Sequence, residues 1–347
     1  MISLDTSGVM PAAESSAPKE MLSVTEDSGV TRVRINFSSL AILQKCLREA
    51  EYSLIRGLQP QLEQPALVFG SAIHKALEVY YCGSRTERAI PSEYDDTMKM
   101  IGCGQWEPAW NESLLFRAAR AFVERAAPLS ALPDTDKRSI FTGVYILMHY
   151  FRKYLTDEYV ILRDAQGEPY VERKFTLPLG RSGDIEVEYF GTIDAILKSE
   201  VTGQVLVTDH KSASNLWDFY DKISPAMQYT GYILAAQKVF NLDTDLFLVN
   251  ALQVKPPPKT SRGSEPDFAR QVTQRTEDDI NELKLTVFSE VENFLRAKSN
   301  GHFPMSASGA CTAFYGSCKF REVCAAPKQL RDSIIGAKFR SDAYGKS

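Results

Sequence analysis

Two apolar runs near the middle of the chain each end in an acidic residue, and a lysine lies two positions after the second acid. The first run ends at Asp194 in the sequence GTID, and the second is VLVTDHK, which contains Asp209 and Lys211. Their β-branched composition predicts two strands, and the short polar connection at 199–203 predicts that these strands pair as a hairpin. Asp194 and Asp209 are therefore expected to meet at one end of a small sheet.

Side chains alternate along a strand, so Asp209 and Lys211 are expected to project to the same side. Carboxylate oxygens suit Mg²⁺ or Mn²⁺, so the two acids could hold one cation, to which the backbone carbonyl of His210 could add an oxygen. Lys211 beside that ion could orient a water molecule or offset the charge of a phosphodiester. The alternative is that each acid only ends a strand, because a lone acid-x-Lys sequence occurs by chance in many proteins.

A histidine upstream lies in a segment with helical periodicity. His74 follows Gly-Ser-Ala-Ile within residues 69–81, where apolar residues recur at helical spacing. Glu78 comes four residues later and therefore shares its face of the helix. Either side chain could approach the cation. A lone helical histidine is more often a core or surface residue, however, and a solvated helix carboxylate explains Glu78 equally well.

Gln228 and Tyr232 are also four residues apart, within residues 226–240, which are predicted to form a helix. Tyr232 could simply be a core residue. Gln228 is harder to explain in that way, because a buried amide needs polar partners. The pair is therefore a candidate for the surroundings of the acidic residues.

The order of these residues resembles the RecB-like branch of the PD-(D/E)XK nucleases, which have a His, a G-x-x-D strand, an acid-x-Lys strand and a Q-x-x-x-Y helix. The resemblance implies an α/β, restriction-endonuclease-like fold with a central mixed sheet flanked by helices. Glu172 matches an acidic residue that the family has on the preceding strand, in a secondary role. The active-centre roles that the resemblance implies are metal binding by His74, Asp194, Asp209 and the His210 carbonyl, and catalysis supported by Lys211, Gln228 and Tyr232.

Four of the six cysteines are divided between two distant regions. They are Cys46, upstream, and the C-terminal group Cys311, Cys318 and Cys324. Zinc sites usually use closely spaced cysteine pairs, which this sequence lacks. Disulfide scaffolds are usually short secreted chains, unlike this one of 347 residues. The remaining two, Cys82 and Cys103, are interpreted as ordinary thiols.

One distant cysteine and three clustered ones resemble the iron–sulfur variety of this nuclease family, found in AddB and the CRISPR-adaptation nucleases. The resemblance implies a [4Fe-4S] cluster, because four thiolates suit such a cluster. Its implied ligands are Cys46, Cys311, Cys318 and Cys324. The cluster would close a very long loop and staple the C-terminal tail to the first helices, so its expected role is structural.

The expected activity is hydrolysis of DNA phosphodiester bonds with Mg²⁺ or Mn²⁺, as an exonuclease acting on single-stranded or duplex ends in recombination, repair or phage DNA replication. A CRISPR-adaptation nuclease is the alternative within the family. A non-catalytic iron–sulfur DNA-binding subunit is the alternative from another class, although it has no need for carboxylates that face phosphates. The sequence lacks the signature G-x-x-x-x-G-K-[ST], so a helicase or recombination partner would be a separate chain.

The composition is typical of a globular protein, with 44% hydrophobic and 24% charged residues and no apolar run as long as a membrane span. In the absence of a secretory signal segment, the expected location is the cytoplasm of a bacterial or phage-infected cell. The net charge of −4 is unexpected for a DNA-binding protein. A local group of cations, Lys255, Lys259 and Arg262, is therefore the candidate DNA contact, with a solvated linker as the equal alternative.

A single nuclease domain is expected at 31–330, after an N-terminal segment, 1–30, whose polar and acidic composition predicts disorder. Helical patterns at 83–158 predict a helical insertion over the site. The cysteine-rich tail is 301–325, and a further C-terminal tail covers 331–347. Strands are predicted at 170–177, 185–197, 205–210, 245–254 and 268–273, and a long helix at 276–298.

Overall fold

The described part of the protein combines one large mixed sheet with helices on both of its faces. The structure is a computed structural model that describes residues 22–216, 227–258, 260, 264–306, 308–312 and 318–341. Within these ranges the strands are β1 (Leu22–Asp27), β2 (Val30–Ile35), β3 (Leu58–Pro60), β4 (Tyr159–Ile161), β5 (Val171–Ser182), β6 (Ile185–Ser199), β7 (Val205–Ala213), β8 (Leu246–Gln253), β9 (Phe268–Gln274) and β10 (Phe339–Ser341). The α-helices are α1 (Phe37–Lys45), α2 (Leu47–Ala50), α3 (Pro65–Cys82), α4 (Tyr94–Gly102), α5 (Leu114–Arg125), α6 (Ile140–Lys153), α7 (Met227–Lys238), α8 (Glu277–Ser299), α9 (Arg321–Ala325) and α10 (Arg331–Lys338).

Strand β6 organises the main sheet because it pairs along both of its edges. On one edge it pairs antiparallel with β5 and β4. On the other edge it pairs parallel with β2 and antiparallel with β7, as the predicted hairpin requires. β8 and β9 continue the sheet beyond β7, and α7 is the crossover between the parallel strands β7 and β8. This mixed α/β arrangement is consistent with the restriction-endonuclease-like fold expected from the sequence.

The second edge of β6 has a gap between its two partner strands. β2 pairs with residues 185–189 of β6, and β7 pairs with residues 195–198. Among the described strands, none pairs with residues 190–194 on that edge. We call this gap the fork. It leaves Asp194 without a strand partner on that edge and makes room for side chains from a neighbouring helix.

Each face of the sheet is covered by its own helical layer. The layer formed by α3, α4, α5 and α6 buries Leu206 of β7, whereas the layer formed by α1, α7 and α8 buries Val207. Because consecutive side chains of a strand point to opposite faces, Asp209 and Lys211 lie on the α7 side. His210 lies on the α3 and α6 side.

The helical patterns predicted within residues 83–158 correspond to α4, α5 and α6. Their apolar faces join α3 in one buried layer, which includes Tyr94, Phe122 and Phe151. A glycine on α6, Gly143, permits the close approach of α5, because an added Cβ would lie 1.9 Å from Cζ of Phe122. This region is therefore packed against the sheet, together with α3, and does not extend away from it.

The two ends of the described chain add structure beyond the expected core. Residues 22–30 were expected to be disordered, and that prediction is wrong, because β1 pairs antiparallel with β2 along its whole length. Leu22 and Val24, at alternate positions of β1, pack against the core, and this burial stabilises the strand. The polar residues around them explain why the sequence did not predict it. At the other end, β10 pairs with β3. None of the described helices combines the length and the apolar composition that a membrane span requires.

A close contact between α7 and β6 predicts the effect of one substitution. Gly231 packs against Tyr189, and an added Cβ would lie 2.6 Å from Cε1 and 2.9 Å from the hydroxyl oxygen of that tyrosine. We expect Gly231→Ala to lower the free energy of unfolding by about 1–3 kcal/mol, because the helix and the sheet must separate. Urea denaturation measures this change.

The matched control for this prediction is Gly336→Ala in α10, where an added Cβ meets no atom within 4 Å. Its higher helix propensity should leave stability equal or raise it by up to about 1 kcal/mol. Equal stability of the two variants would contradict the packing described for Gly231.

Candidate active site

The fork places two buried carboxylates next to each other. The pairing of β6 with β7 ends at Ala195 and Thr208, and one more step of that register would pair Asp194 with Asp209. Asp194 is 8% exposed and Asp209 is 2% exposed. Two carboxylates at this depth repel each other and are poorly solvated, so they require nearby cations or hydrogen-bond donors.

Asp194 has two partners at the fork. Nδ1 of His74, on α3, lies 3.2 Å from Asp194 Oδ2, and the backbone N–H of His210 donates a 2.8 Å hydrogen bond to the same oxygen. Burial alone would raise the pKa of Asp194, but His74 and His210 lower it to about 2. Burial also opposes the charge of His74, yet the Asp194 carboxylate raises the pKa of that imidazole to about 9. The two side chains therefore form an ion pair at neutral pH.

Glu172 on β5 completes a group of three possible metal ligands. Ligand atoms of His74, Glu172 and Asp194 all lie within 4.8 Å of one another. Burial, followed by the nearby charge of Asp194, raises the pKa of Glu172 to about 7. Its backbone φ of 48° is in the left-handed region, which is strained for a residue with a long side chain. Sequence reasoning gave Glu172 only a secondary role, whereas the geometry places it beside His74 and Asp194.

Asp209 is paired with the lysine that follows it. Lys211 Nζ lies 2.7 Å from Asp209 Oδ2. Burial alone would lower the pKa of Lys211, but the Asp209 carboxylate raises it above its ordinary value. Burial raises the pKa of Asp209 in spite of the lysine. Apart from this ion pair, Asp209 Oδ2 has no hydrogen-bond partner within the described part of the chain, so it is a buried oxygen that a cation could use.

Most of the chain has a counterpart among known protein families. A family model for the PD-(D/E)XK nuclease superfamily matches residues 34–325, which contain both strands of the fork together with α3 and α7. The chain belongs to the PD-(D/E)XK nuclease superfamily. No curated protein matches it at a significant level. Membership implies metal-dependent nuclease activity, and the imidazole and carboxylate groups at the fork agree with that chemistry.

In this PD-(D/E)XK nuclease, Gln228 and Tyr232 contact each other. Gln228 Nε2 donates a 2.9 Å hydrogen bond to the Tyr232 hydroxyl. Burial raises the pKa of Tyr232, and Asp209 raises it further, so the phenol lies within electrostatic range of the fork. No hydrogen bond joins either residue to Lys211 among the described contacts. Tyr229, which sequence reasoning missed, lies on the same helix, and its pKa is raised to about 12 by burial and by Asp209.

Folding brings the four distant cysteines together at one small cavity. Its volume is about 20 Å³, and its lining includes Cys46, Cys311, Cys318 and Cys324. The thiol of Cys318 donates to a carboxylate oxygen of Glu49 at 3.7 Å, and the backbone N–H of Ser306 lies 3.5 Å from the sulfur of Cys46. Within the described residues, no three of these sulfurs lie within 4.8 Å of one another.

The remaining candidates are paired with other residues or lie outside the described residues. Both carboxylate oxygens of Glu78 accept from Lys75 Nζ at 2.8 Å, so this acid is already paired on the surface of α3. Lys255 hydrogen-bonds Ser264 in the connection between β8 and β9. Lys259 and Arg262, the other two proposed DNA contacts, lie outside the described residues.

The position of Glu172 predicts that two substitutions weaken metal binding alike but differ in stability. Glu172→Gln and Glu172→Gly should both weaken Mn²⁺ binding at least about 10-fold, the loss that even an outlying partner of a metal ligand causes. The glycine variant should melt at a higher temperature than the glutamine variant, because glycine removes about 1–2 kcal/mol of left-handed backbone strain. Isothermal titration and thermal melting measure these two quantities.

Glu186→Gln is the control, because Glu186 pairs with Arg32 at the exposed end of β6, away from the fork. This variant should bind Mn²⁺ like the wild type. Unchanged Mn²⁺ affinity in Glu172→Gln would remove Glu172 from the metal site.

Proposed function

We propose that this chain is a metal-dependent deoxyribonuclease that degrades DNA from an end. The observation that carries the proposal is the fork, where two buried acids from adjacent strands meet a histidine and a lysine in a chain of the PD-(D/E)XK superfamily. An oxygen-rich set with one imidazole suits Mg²⁺ or Mn²⁺. Apart from its ion pair with Lys211, the buried Oδ2 of Asp209 has no hydrogen-bond partner within the described residues, which leaves that oxygen able to accept a metal ion.

The side chains at the fork have distinct roles in the proposed reaction. His74, Glu172, Asp194 and Asp209 would hold the divalent ion, together with the His210 carbonyl. The bound ion supplies Lewis-acid stabilisation of the phosphate oxygens and lowers the pKa of a water molecule. Lys211 would orient the attacking water or offset charge that develops on the scissile phosphate. Gln228 and Tyr232 would support the lysine from α7 and contact the nucleic-acid backbone.

Access to the acids supports action on an end. Asp194 and Asp209 are almost completely buried, whereas the side chains of His74 and Lys211 are 30% and 32% exposed. We therefore expect substrate to approach the acids past these two residues. A flexible strand end reaches such a position more readily than a phosphate in the middle of a rigid duplex. The proposal accordingly favours an exonuclease, with Lys255, Lys259 and Arg262 as candidate DNA contacts.

Two alternatives differ from this proposal in pathway or in class. A CRISPR-adaptation nuclease would use the same site, whereas the proposed role is in recombination, repair or phage DNA replication in the cytoplasm, with any helicase on another chain. A non-catalytic iron–sulfur DNA-binding subunit would gain nothing from two buried acids and a lysine, because uncompensated buried charge destabilises a protein. The presence of this charged group favours the enzyme.

The cysteine cavity supports a [4Fe-4S] cluster as a second metal group. The cavity is lined by four cysteines, the number of thiolate ligands that such a cluster requires. Lys45, Arg48 and Lys319 place positive charge near the cavity, which would offset the negative charge of four thiolates. A cluster held there would fasten the C-terminal tail to α1 and α2.

The tail also has attachments that do not depend on a cluster. Arg48 donates a backbone hydrogen bond to Pro304 and a side-chain hydrogen bond to the carbonyl of Phe303. A separate hydrophobic cluster packs beneath the paired strands β3 and β10. Its buried members are Tyr52, Leu58, Phe320, Val323, Ile335 and Phe339. Loss of the iron–sulfur cluster should therefore loosen the cysteine cavity, whereas β10 should stay paired with β3.

The proposed chemistry predicts the behaviour of two variants. Asp209→Ala and Lys211→Ala should each lower the cleavage rate by about 100-fold or more, because the first removes a carboxylate that would hold the ion and the second removes a positive charge beside the phosphate. End-labelled single-stranded and duplex DNA, incubated with Mg²⁺, Mn²⁺, Ca²⁺ or EDTA, measures this effect. Mn²⁺ should support cleavage at least as well as Mg²⁺, and Ca²⁺ should not, because its looser geometry does not hold the water in line.

Lys198→Ala is the control, because Lys198 is an exposed residue at the far end of β6. It should cleave like the wild type. Robust cleavage in excess EDTA, or full activity of folded Asp209→Ala protein, would refute the proposed mechanism.

The cysteine cavity generates a separate prediction about iron and stability. Protein purified without oxygen should be brown and contain about four irons per chain. Cys324→Ala should lose the iron and melt at a lower temperature, because binding at such a site is coupled to folding. Cys82→Ala is the control, because Cys82 is exposed and lies outside the cavity. Zinc without iron, or a fully stable and colourless Cys324→Ala protein, would contradict the cluster.

A further inference from the structure

A buried polar network lies directly behind the strand that contains Asp209 and Lys211. Its members come from β7, β8, β9, α3, α6 and the segment after α6, and they share a position on the α3 and α6 side of the sheet. They are His210, Asn250, Arg270, Tyr81, Tyr150 and Asp157. Asn250, Tyr81 and Tyr150 are each 0% exposed, and His210 is 2% exposed.

His210 is the member that adjoins the active site. Its Nδ1 lies 2.9 Å from Nδ2 of Asn250. Its ring stacks on Tyr81, with the ring centres 5.3 Å apart and the planes inclined by 11°. His74 meets the same ring edge-on, with the ring centres 6.1 Å apart. The imidazole is therefore held by an amide partner in its plane and by an aromatic ring on its face.

Asn250 is itself held by two further groups. Its amide nitrogen donates a 2.8 Å hydrogen bond to the Tyr150 hydroxyl, and its carbonyl oxygen accepts from Arg270 Nε at 3.3 Å. Arg270 contacts both carboxylate oxygens of Asp157 at 2.7 Å and donates to the Tyr81 hydroxyl at 3.1 Å. Asn250 is thus satisfied on both ends of its amide, and its orientation is fixed.

The network is difficult to explain by stability alone. A buried Arg–Asp pair is weak evidence for stability, because well-packed apolar side chains often stabilise a core as much or more. A fully satisfied polar network does, however, fix side chains in one arrangement. The position of His210 in the chain indicates what is being fixed. It lies between Asp209 and Lys211, and its backbone N–H donates to Asp194 at 2.8 Å.

We propose that Asn250 is a positioning residue for the metal site, acting through the ring of His210. By holding that ring, it fixes the peptide that binds Asp194 and the directions in which Asp209 and Lys211 leave the strand. This inference rests on the proposed function, because it assigns Asn250 to the same metal centre. The partners that orient metal ligands typically change metal affinity by about 10–100-fold when they are removed.

The test measures Mn²⁺ affinity by titration and cleavage rate as a function of Mn²⁺ concentration. Asn250→Ala should raise the Mn²⁺ dissociation constant about 10–100-fold. Cleavage should recover toward the wild-type rate at saturating Mn²⁺. His210→Phe, which keeps a ring against Tyr81 but loses the hydrogen bond, should have the same effect. In the double variant the two effects should not add, because both remove one interaction.

Tyr94→Phe is the matched control, because Tyr94 also donates a buried hydrogen bond, to the carbonyl of Met148, but lies within the helical layer away from the fork. It should lower thermal stability without changing Mn²⁺ affinity. If Asn250→Ala does the same, the residue is only structural and the inference is wrong. Additive effects in the double variant would also overturn it.

Two further measurements keep the result decisive. If Asn250→Ala does not fold, Tyr150→Phe removes the next hydroxyl of the network. A raised Mn²⁺ dissociation constant in that variant supports the inference, and an unchanged constant overturns it. Wild-type protein that neither binds Mn²⁺ nor cleaves DNA would refute the proposed function itself. If the wild type does both and Asn250→Ala has the same Mn²⁺ affinity, only the role of Asn250 is refuted.

Discussion

The structure depends on the separation of two strands along one edge of β6. Because β2 leaves that edge after residue 189 and β7 joins it only at residue 195, Asp194 has no strand partner there and Asp209 lies one step beyond the last pair. Two carboxylates are thereby buried side by side. Such an arrangement is unfavourable unless cations neutralise it, and this electrostatic requirement explains both His74 and Lys211.

The surrounding elements complete the site from different directions. α3 supplies His74 from one face, and β5 supplies Glu172 with a strained backbone, which is a local cost accepted where geometry matters for function. From behind, Asn250 holds the His210 ring in place. The cysteine cavity lies between the tail and the first helices, beside β3 and β10, which pair with each other.

Sequence reasoning could predict the parts of the site that depend on local periodicity. The hairpin of β6 and β7 follows from β-branched composition and a short connection, and the face of α3 follows from helical spacing. Glu172 could not be assigned in this way, because a left-handed backbone at a glutamate has no sequence signature. The partners of His210 were missed because they come from distant parts of the chain. β1, β3 and β10 were missed because short strands in polar surroundings give little alternation, and the joint cavity of the cysteines followed from resemblance alone.

The central claim is that the buried acids of the fork bind a divalent cation, and diffraction from crystals soaked in Mn²⁺ tests it most directly. Anomalous scattering locates manganese without reference to activity. The account predicts a manganese peak in contact with the carboxylates of Asp194 and Asp209 and the ring of His74, and no such peak in Asp209→Ala crystals. A fully ordered fork without manganese, with His74 still paired to Asp194, would contradict it.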